Sequence, residues 1–391
     1  MSNLPQGWEV KTLSEIGEII TGSTPSKSNV EFYGKDYPFF KPSDFEQGYF
    51  LENAGDNLSK LGFGKARQLP PKTILVVCIG SLGKVALTRV IGSCNQQINA
   101  IIPHKNIISE YIYYYCISSK FQSILFSKAP QTTLAIFNKT EFSKLEIIYP
   151  KDIKEQERIV GILDESFAKI DESIKILEQD LLNLDELMQS ALQKAFNPLK
   201  DNAKENYKLP QSWEWKSLEE ISENISAGGD KPKNCTESKT AKNQIPVYAN
   251  GVNNNGLVGY TDKATIIKPS LTISARGTIG FVCIRKEPYF PIVRLISLIP
   301  CENILCLHYL YFCLNFFIAK GEGSSIPQLT IPKFKSLQIP LPPLKEQEQI
   351  AEHLDFVFKK AKALKELYTK ELKDYEELKQ SLLNKAFKGE L

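Results

Sequence analysis

Side chains able to do covalent chemistry are scarce in this chain of 391 residues, and those present are badly spaced for it. Its cysteines are Cys78, Cys94, Cys116, Cys235, Cys283, Cys301, Cys306 and Cys313. No two stand at C-x-x-C spacing, and His104, His308 and His353 do not cluster with them, so no zinc site is expected. Most sit in apolar runs such as TILVVCIG and NILCLHYLYFCL, where a free cysteine packs as a small hydrophobe. They read as the reduced core thiols of a cytosolic protein. There is no GxxxxGK[ST] loop, and neither Gly80-Ser-Leu-Gly83 nor Gly277-Thr-Ile-Gly280 fits G-x-G-x-x-G. Asn-Pro-Leu-Lys at Asn197 lacks the aromatic residue and second proline of an amino-methyltransferase motif. The carboxylate pairs Glu155/Glu157 and Glu376/Glu377 fall on helical stretches and read as solvated faces. The expectation is a chain with no catalytic site, metal or cofactor of its own.

What remains is recognition by hydrogen bonding and charge. Arginine, the preferred bidentate reader of guanine edges, occurs only at Arg67, Arg89, Arg158, Arg276, Arg285 and Arg294. For any one of them a surface ion pair is the plainer role. Polar and basic residues beside glycines in loops are the candidate contacts to nucleic acid. In the first half these are Thr24, Ser26, Lys27, Lys41, Ser43, Lys84, Thr132 and Thr133. In the second they are Lys231, Lys233, Asn253, Asn254, Arg276, Thr278 and Gln328. Lysines would hold phosphates, while the amides, hydroxyls and Arg276 could reach base edges. The run Tyr111, Tyr113, Tyr114 and Tyr115 could stack on bases, but a buried helix face is the stronger reading.

The elements that must carry these loops are duplicated. LPQGWEVKTLSEI at Leu4 matches LPQSWEWKSLEEI at Leu209, and SLGKVAL around Gly83 matches GTIGFVC around Gly280. FSKLEIIYPKDIKEQERI at Phe142 matches FKSLQIPLPPLKEQEQI at Phe334, and ELMQSALQKAF, ending at Phe196, matches ELKQSLLNKAF, ending at Phe387. The register drifts from 205 to 197 to 192 along the first part of each copy, then stays at 191 from Lys154/Lys345 to Phe196/Phe387. Loops absorb insertions; a long helix in a fixed packing register does not.

In the first constant segment Val160, Leu163, Phe167, Ile170, Ile174, Leu177, Leu181, Leu184, Met188, Ala191 and Ala195 alternate spacings of three and four, a heptad stripe. The second copy keeps the columns but for Lys365 and Lys379, where Leu364 and Leu378, one residue away, are expected to turn inward. Asp152 with Glu155 suggests a capping box at the first helix start; Pro198 and Gly389 share the column that ends both helices. Each helix should run about 43 residues, roughly 64 Å, and pack its stripe mainly on the other rather than on its own globular part. PKTILVVCIG and ATIIKPSLTISA read as buried strands, and SEYIYYYCISSKFQSILF and LCLHYLYFCLNFF as matching buried helices. The fold class is α+β, with two globular parts at 1–150 and 200–340 and two long coiled-coil helices at 151–199 and 341–391, as a pseudo-two-fold internal repeat.

Charge divides along the same lines. Residues 1–153 carry a net +3 and 200–340 a net +5, whereas 154–196 carry −5 and 341–391 zero. Basic modules beside acidic or neutral helices suit DNA binding, where affinity comes largely from neutralising phosphates. The opening MSNLPQGWEV lacks the basic and apolar regions of a signal peptide, and the apolar stretch from Leu305 to Ala319 is too short and polar to span a bilayer.

The WEVKTLSEI/WEWKSLEEI starts, the repeated KEQE segments, IPLPPLKEQEQIAEHLD at Ile339 and ISARGTIG at Ile273 together resemble the specificity subunit of Type I restriction–modification systems over nearly the whole chain. The first half departs from the pattern: IGSLGKVAL places Ile79 in the column of Arg276, and YPKDIKEQERI carries one extra residue. The resemblance implies two target-recognition domains separated by two conserved spacer helices that pack antiparallel. Each domain would read one half of a bipartite, asymmetric double-stranded DNA target. Two modification subunits would dock on the helices and methylate adenine with S-adenosylmethionine, and restriction subunits would add cleavage driven by ATP with Mg. A coiled-coil scaffold with two non-DNA sensor domains is the alternative from another class. A chain fusing recognition with methylation is disfavoured by the missing methyltransferase motifs.

Overall fold

A computed structural model describes residues 4–128, 136–196, 209–318 and 329–391, and the chain divides into two compact units. Unit 1 comprises residues 1–177 and 369–391, and unit 2 residues 178–368. Each contains one globular α+β part and a share of both long helices, Ile153–Phe196 and Leu344–Ala386.

The globular parts repeat one topology. In unit 1 a five-stranded sheet runs Gly17–Thr21, Ile98–Pro103, Ile74–Val77, Val85–Thr88, Phe50–Leu51. Unit 2 repeats its first four members as Ser222–Ala227, Ile296–Pro300, Ser270–Ile273, Val282–Arg285. A three-stranded sheet stands beside each. In it Tyr33–Phe40 pairs parallel with Ser93–Cys94, and Ile245–Tyr248 with Phe290–Pro291. The apolar strand Ile74–Val77, β-branched at three of its four positions, is buried on both faces, as a central strand requires. The expected strand ATIIKPSLTISA shrinks to Ser270–Ile273, with Pro269 just before it. SEYIYYYCISSKFQSILF forms two helices, Ser109–Ile117 and Ser119–Lys128, because the Ser118 hydroxyl turns back to the Tyr115 carbonyl. Tyr111, Tyr114 and Tyr115 are buried, so this run is core and not a stacking platform.

Each domain opens on a strand, Trp8–Thr12 or Glu214–Ser217, paired antiparallel with the strand before the long helix, Glu146–Pro150 or Gln338–Leu341. A carboxylate closes the turn after it in both copies. Glu15 accepts from the Thr12 amide and hydroxyl, and Glu220 from those of Ser217. These bonds lower both carboxyl pKa values below the usual glutamate range.

The repeated KEQE motif has a structural cause. Gln156 and Gln347 are fully buried. The Gln156 carbonyl accepts from the Ile108 amide, and its NH₂ donates to the carbonyls of Pro150 and Asn106. Gln347 does the same with Cys306, Pro342 and Ile304. One side chain thus ties the start of each long helix to the strand before it and to a domain helix.

The long helices pack antiparallel within each unit, as expected, but their end turns also enter the globular cores. Ile159, Val160 and Leu163 join Leu383, Ala386 and Phe387 in the unit 1 core; Leu192 and Phe196 join Ala351 and Leu354 in that of unit 2. All positions of the first helix's stripe are buried or half-buried. Three sequence expectations need correction. Leu364 and Leu378 stay outward, 39% and 44% exposed. Lys365 and Lys379 keep the stripe positions instead, each bonded to an aspartate of the first helix: Lys365 to Asp185, and Lys379 to Asp171 at 2.6 Å. A lysine stem covers apolar surface while its ammonium reaches the flank. The capping box at the first helix is only half formed: Asp152 caps the Lys154 amide, but Glu155 turns to Arg158. The helix end at Pro198 lies outside the described residues, while Gly389 follows the second helix with φ 72°.

Candidate nucleic-acid interface

In each unit four loops leave neighbouring strand ends and meet. In unit 2 they are Gly228–Lys233, Ala249–Gly256, Ser274–Gly280 and the turn Ile292–Leu295. The turn is the hub. Its Val293 and Arg294 amides donate to the Gly229 and Gly228 carbonyls, and its Ile292 amide to Tyr248. The Asn250 side chain then bridges two loops: its NH₂ donates to the Val293 carbonyl at 2.6 Å, and its oxygen accepts the Ala275 amide at 2.8 Å. The Gly251 amide adds a bond to the Ser274 hydroxyl.

Unit 1 builds the same cluster from Gly22–Lys27, Lys41–Ser43, Cys78–Lys84 and the turn Asn95–Gln97. Here the Ser23 amide donates to Cys94, Asn95 to Phe40, and Cys78 directly to the Gln97 carbonyl. That last bond joins backbone to backbone where unit 2 inserts the Asn250 side chain. Side chains complete the cluster: Thr24 donates to Gln96 at 2.5 Å, and the Gln97 NH₂ to the Ile79 carbonyl. Glycine is required at one matching place. A Cβ on Gly22 would sit 2.1 Å from the Asn95 carbonyl, and on Gly228 2.6 Å from the Ile292 amide.

The candidate contacts therefore gather, by loop, in one cluster per unit. Thr24, Ser26, Lys27, Ser43, Lys231, Lys233, Asn253, Asn254, Arg276 and Thr278 are exposed there. Asn254 adopts φ 47°, a left-handed conformation that asparagine tolerates. Lys41 and Lys84 are half-buried and ion-paired with Asp56 and Glu46, and the Lys84 ammonium lowers the Glu46 carboxyl pKa. Thr132, Thr133 and Gln328 lie outside the described residues. The amide of Leu329, next to Gln328, bonds the Ala275 carbonyl of the cluster.

The arginines separate by environment. Arg67 donates to the Thr21 carbonyl, Arg89 pairs with Glu52 over the Phe50 ring, and Arg158 forks onto Glu155. Arg285 is buried against Tyr248 and bonds Thr272 and the Asn255 carbonyl, so it supports the Asn253–Gly256 loop. Arg276 and Arg294 are exposed on loops. The reading of residue types passed over Asn95–Gln97, Asn250 and Arg294 as contacts. The signal available was an amide run, Asn95-Gln96-Gln97, aligned with the isolated Arg294 by the 197-residue register.

Two α+β domains with the same loop cluster, each sharing in two long helices, define a duplicated recognition protein. The chain belongs to the Type I restriction modification DNA specificity domain family, whose model matches residues 5–181 and again 210–373. The resemblance and fold class read from the sequence are borne out. The HindI specificity subunit of Haemophilus influenzae is 39% identical over 186 residues, covering 46% of this chain and 40% of that protein. The MjaIX specificity subunit of Methanocaldococcus jannaschii is 24% identical over 88% of this chain and 85% of its own. Among solved structures, a chain from work on complex assembly and conformational transition of the type I R-M system superposes with TM-score 0.83 at 19% identity, covering all of both chains. The HsdS subunit from Thermoanaerobacter tengcongensis gives 0.60 at 20% identity, covering all of this chain and 98% of its own. At such identities the likeness is one of fold. Among the described residues no three or more metal-ligating side chains cluster, and no helix is long and apolar enough to cross a membrane.

Proposed function

We propose that this chain is the non-catalytic, DNA-reading subunit of a cytoplasmic Type I restriction–modification complex. In this reading residues 1–150 and 200–340 are target-recognition domains, and 151–199 and 341–391 are the conserved spacers. The observation that carries it is the repeated loop cluster: one strand topology gathers amide, hydroxyl and basic side chains in each unit. Each cluster would read one half of a bipartite, asymmetric double-stranded DNA target. Lys27, Lys231 and Lys233 are exposed for phosphates, and Asn253, Asn254, Arg276 and Thr278 for base edges. Lys41 and Lys84 could reach phosphates only by exchanging their carboxylate partners.

Two modification subunits would carry S-adenosylmethionine and methylate adenine, while restriction subunits would use ATP and Mg. Their docking on the long helices is supported by apolar residues left outside the helix stripe: Leu182, Leu187, Phe356 and Leu367 in unit 2, each more than half exposed.

The test is a titration with duplex DNA at rising salt, followed by methylome sequencing of cells with and without the chain beside its cognate modification subunit. A DNA reader gives a steep linear fall of log affinity with log salt and an adenine-methylation motif that vanishes with the gene. A flat salt response and an unchanged methylome would favour the scaffold reading. Methyl transfer by the isolated chain with S-adenosylmethionine would contradict a non-catalytic role.

A further inference from the structure

We propose that the hub turn of each cluster reads the base edges, through Arg294 in unit 2 and Gln96 in unit 1. This rests on the reading of the chain as a DNA-recognition subunit and names the side chains that would set its specificity.

The turn is the segment to which the other loops are tied, directly through backbone bonds or by way of Asn250, so it holds together the strand ends from which the candidate contacts leave. Its backbone in unit 2 is held in a conformation the residues would not choose. Val293 and Arg294 have φ 54° and 57°, a region disfavoured by any Cβ and most of all by a β-branched one. The Gly228 and Gly229 carbonyls and the Asn250 amide hold it there. Strain kept by such a bond set fixes the origin of the Arg294 side chain before any ligand arrives. Among the described residues no carboxylate lies within salt-bridge distance of Arg294, while Arg67, Arg89, Arg158 and Arg285 are committed to internal partners.

In unit 1 the amides of the turn divide their work. Asn95 donates to the Gln97 side chain and Gln97 to the Ile79 carbonyl of the neighbouring loop, so both are occupied within the cluster. Gln96 is exposed, and its oxygen accepts from Thr24 while its NH₂ points to no described partner. Thr24 thereby presets the amide. An arginine fork matches guanine O6 and N7, and a glutamine amide matches adenine N6 and N7. The geometry thus assigns a guanine to the half-target of unit 2 and an adenine to that of unit 1.

The experiment uses the full chain co-expressed with its cognate modification subunit, read by methylome sequencing. Arg294→Ala and Gln96→Ala remove the side chains. Arg294→Gly removes the arginine while relieving the positive φ, so the turn keeps its shape if alanine disturbs it. Each variant is expected to lose about 10- to 100-fold discrimination at a single position of one half-target. The relaxed position should be a guanine for Arg294 and an adenine for Gln96, with the other half-target unchanged. Asn303→Ala, an exposed change outside the cluster, keeps the parent motif. If folded Arg294→Gly and Gln96→Ala chains keep preference at every position, or lose methylation equally on all sequences, the proposal is overturned. If the unaltered chain directs no sequence-specific methylation, the underlying reading fails instead.

Discussion

Gln347→Ala tests the latch between the second long helix and its domain. The side chain is fully buried and makes three bonds: 2.9 Å from the Cys306 amide, 2.9 Å to the Ile304 carbonyl and 2.8 Å to the Pro342 carbonyl. Alanine strands a buried amide, which costs about 1–3 kcal/mol, and weakens two carbonyls at roughly 0.5–1 kcal/mol each. The unfilled space adds about 1 kcal/mol. The expected loss is on the order of 3–6 kcal/mol. It should appear in hydrogen exchange as faster opening of the amides of Cys306–Leu310, at the start of helix Leu307–Phe317. Gln347→Glu separates bonding from packing, because it keeps the volume but sets a carboxylate oxygen against two carbonyls. Burial there raises its folded-state pKa above the unfolded value, so its stability penalty should be large at pH 7 and shrink as pH falls and the acid protonates. A loss below about 1 kcal/mol for alanine, with Cys306 still protected, would show that the repeated glutamine is not a latch. Gln156→Ala should behave alike in unit 1.

Lys379→Met should leave unit 1 as stable or up to about 1 kcal/mol more stable, whereas Asp171→Ala should cost about 1 kcal/mol by leaving a half-buried ammonium with a weaker partner; equal stabilities of the two variants in denaturant unfolding would show that the pair does not matter. Glu15 and Glu220 should titrate below free glutamate by NMR. Their bonds to Thr12 and Ser217 then hold at pH values above the ordinary glutamate range and are lost as pH falls through the depressed pKa; ordinary titration curves would disprove the closure. Burial pushes the Cys78 and Cys94 thiols up to about 12, so both should resist alkylation at pH 8 in native protein and react on unfolding. Rapid native labelling would show that these cores open.

The long helices were legible because a heptad stripe is a local pattern and the constant register rules out loops. The exception is instructive. Lys365 and Lys379 look like interruptions when only apolar residues are counted, but a lysine stem is apolar and its charge found an aspartate on the facing helix. The candidate loops were legible as composition, but not their convergence. That depends on parallel pairing of Phe39–Phe40 with Ser93–Cys94 across some fifty residues, which no periodicity records. The central turn was missed for the same reason. Asn95, Gln96 and Gln97 look like an ordinary polar connection until the sheet places them against the three other loops. Arg285 shows the converse, a conspicuous arginine whose partners are a threonine, a tyrosine ring and a backbone carbonyl.

The two lysine–aspartate pairs also bear on how a duplicated gene keeps its halves distinct. Two identical helices would mate as readily with a copy of themselves as with each other. In the 191-residue register, Ile174 and Met188 stand where the second helix has Lys365 and Lys379. A first helix mated with another first helix would therefore set Asp185 and Asp171 against hydrocarbon. Two second helices would bring Lys379 against Lys362, which occupies the column of Asp171. The column of Asp185 stays acidic as Glu376, so a pair of second helices would satisfy Lys365 but not Lys379. Only the mixed couple satisfies both lysines, so divergence at three columns biases each half toward its sibling over its twin.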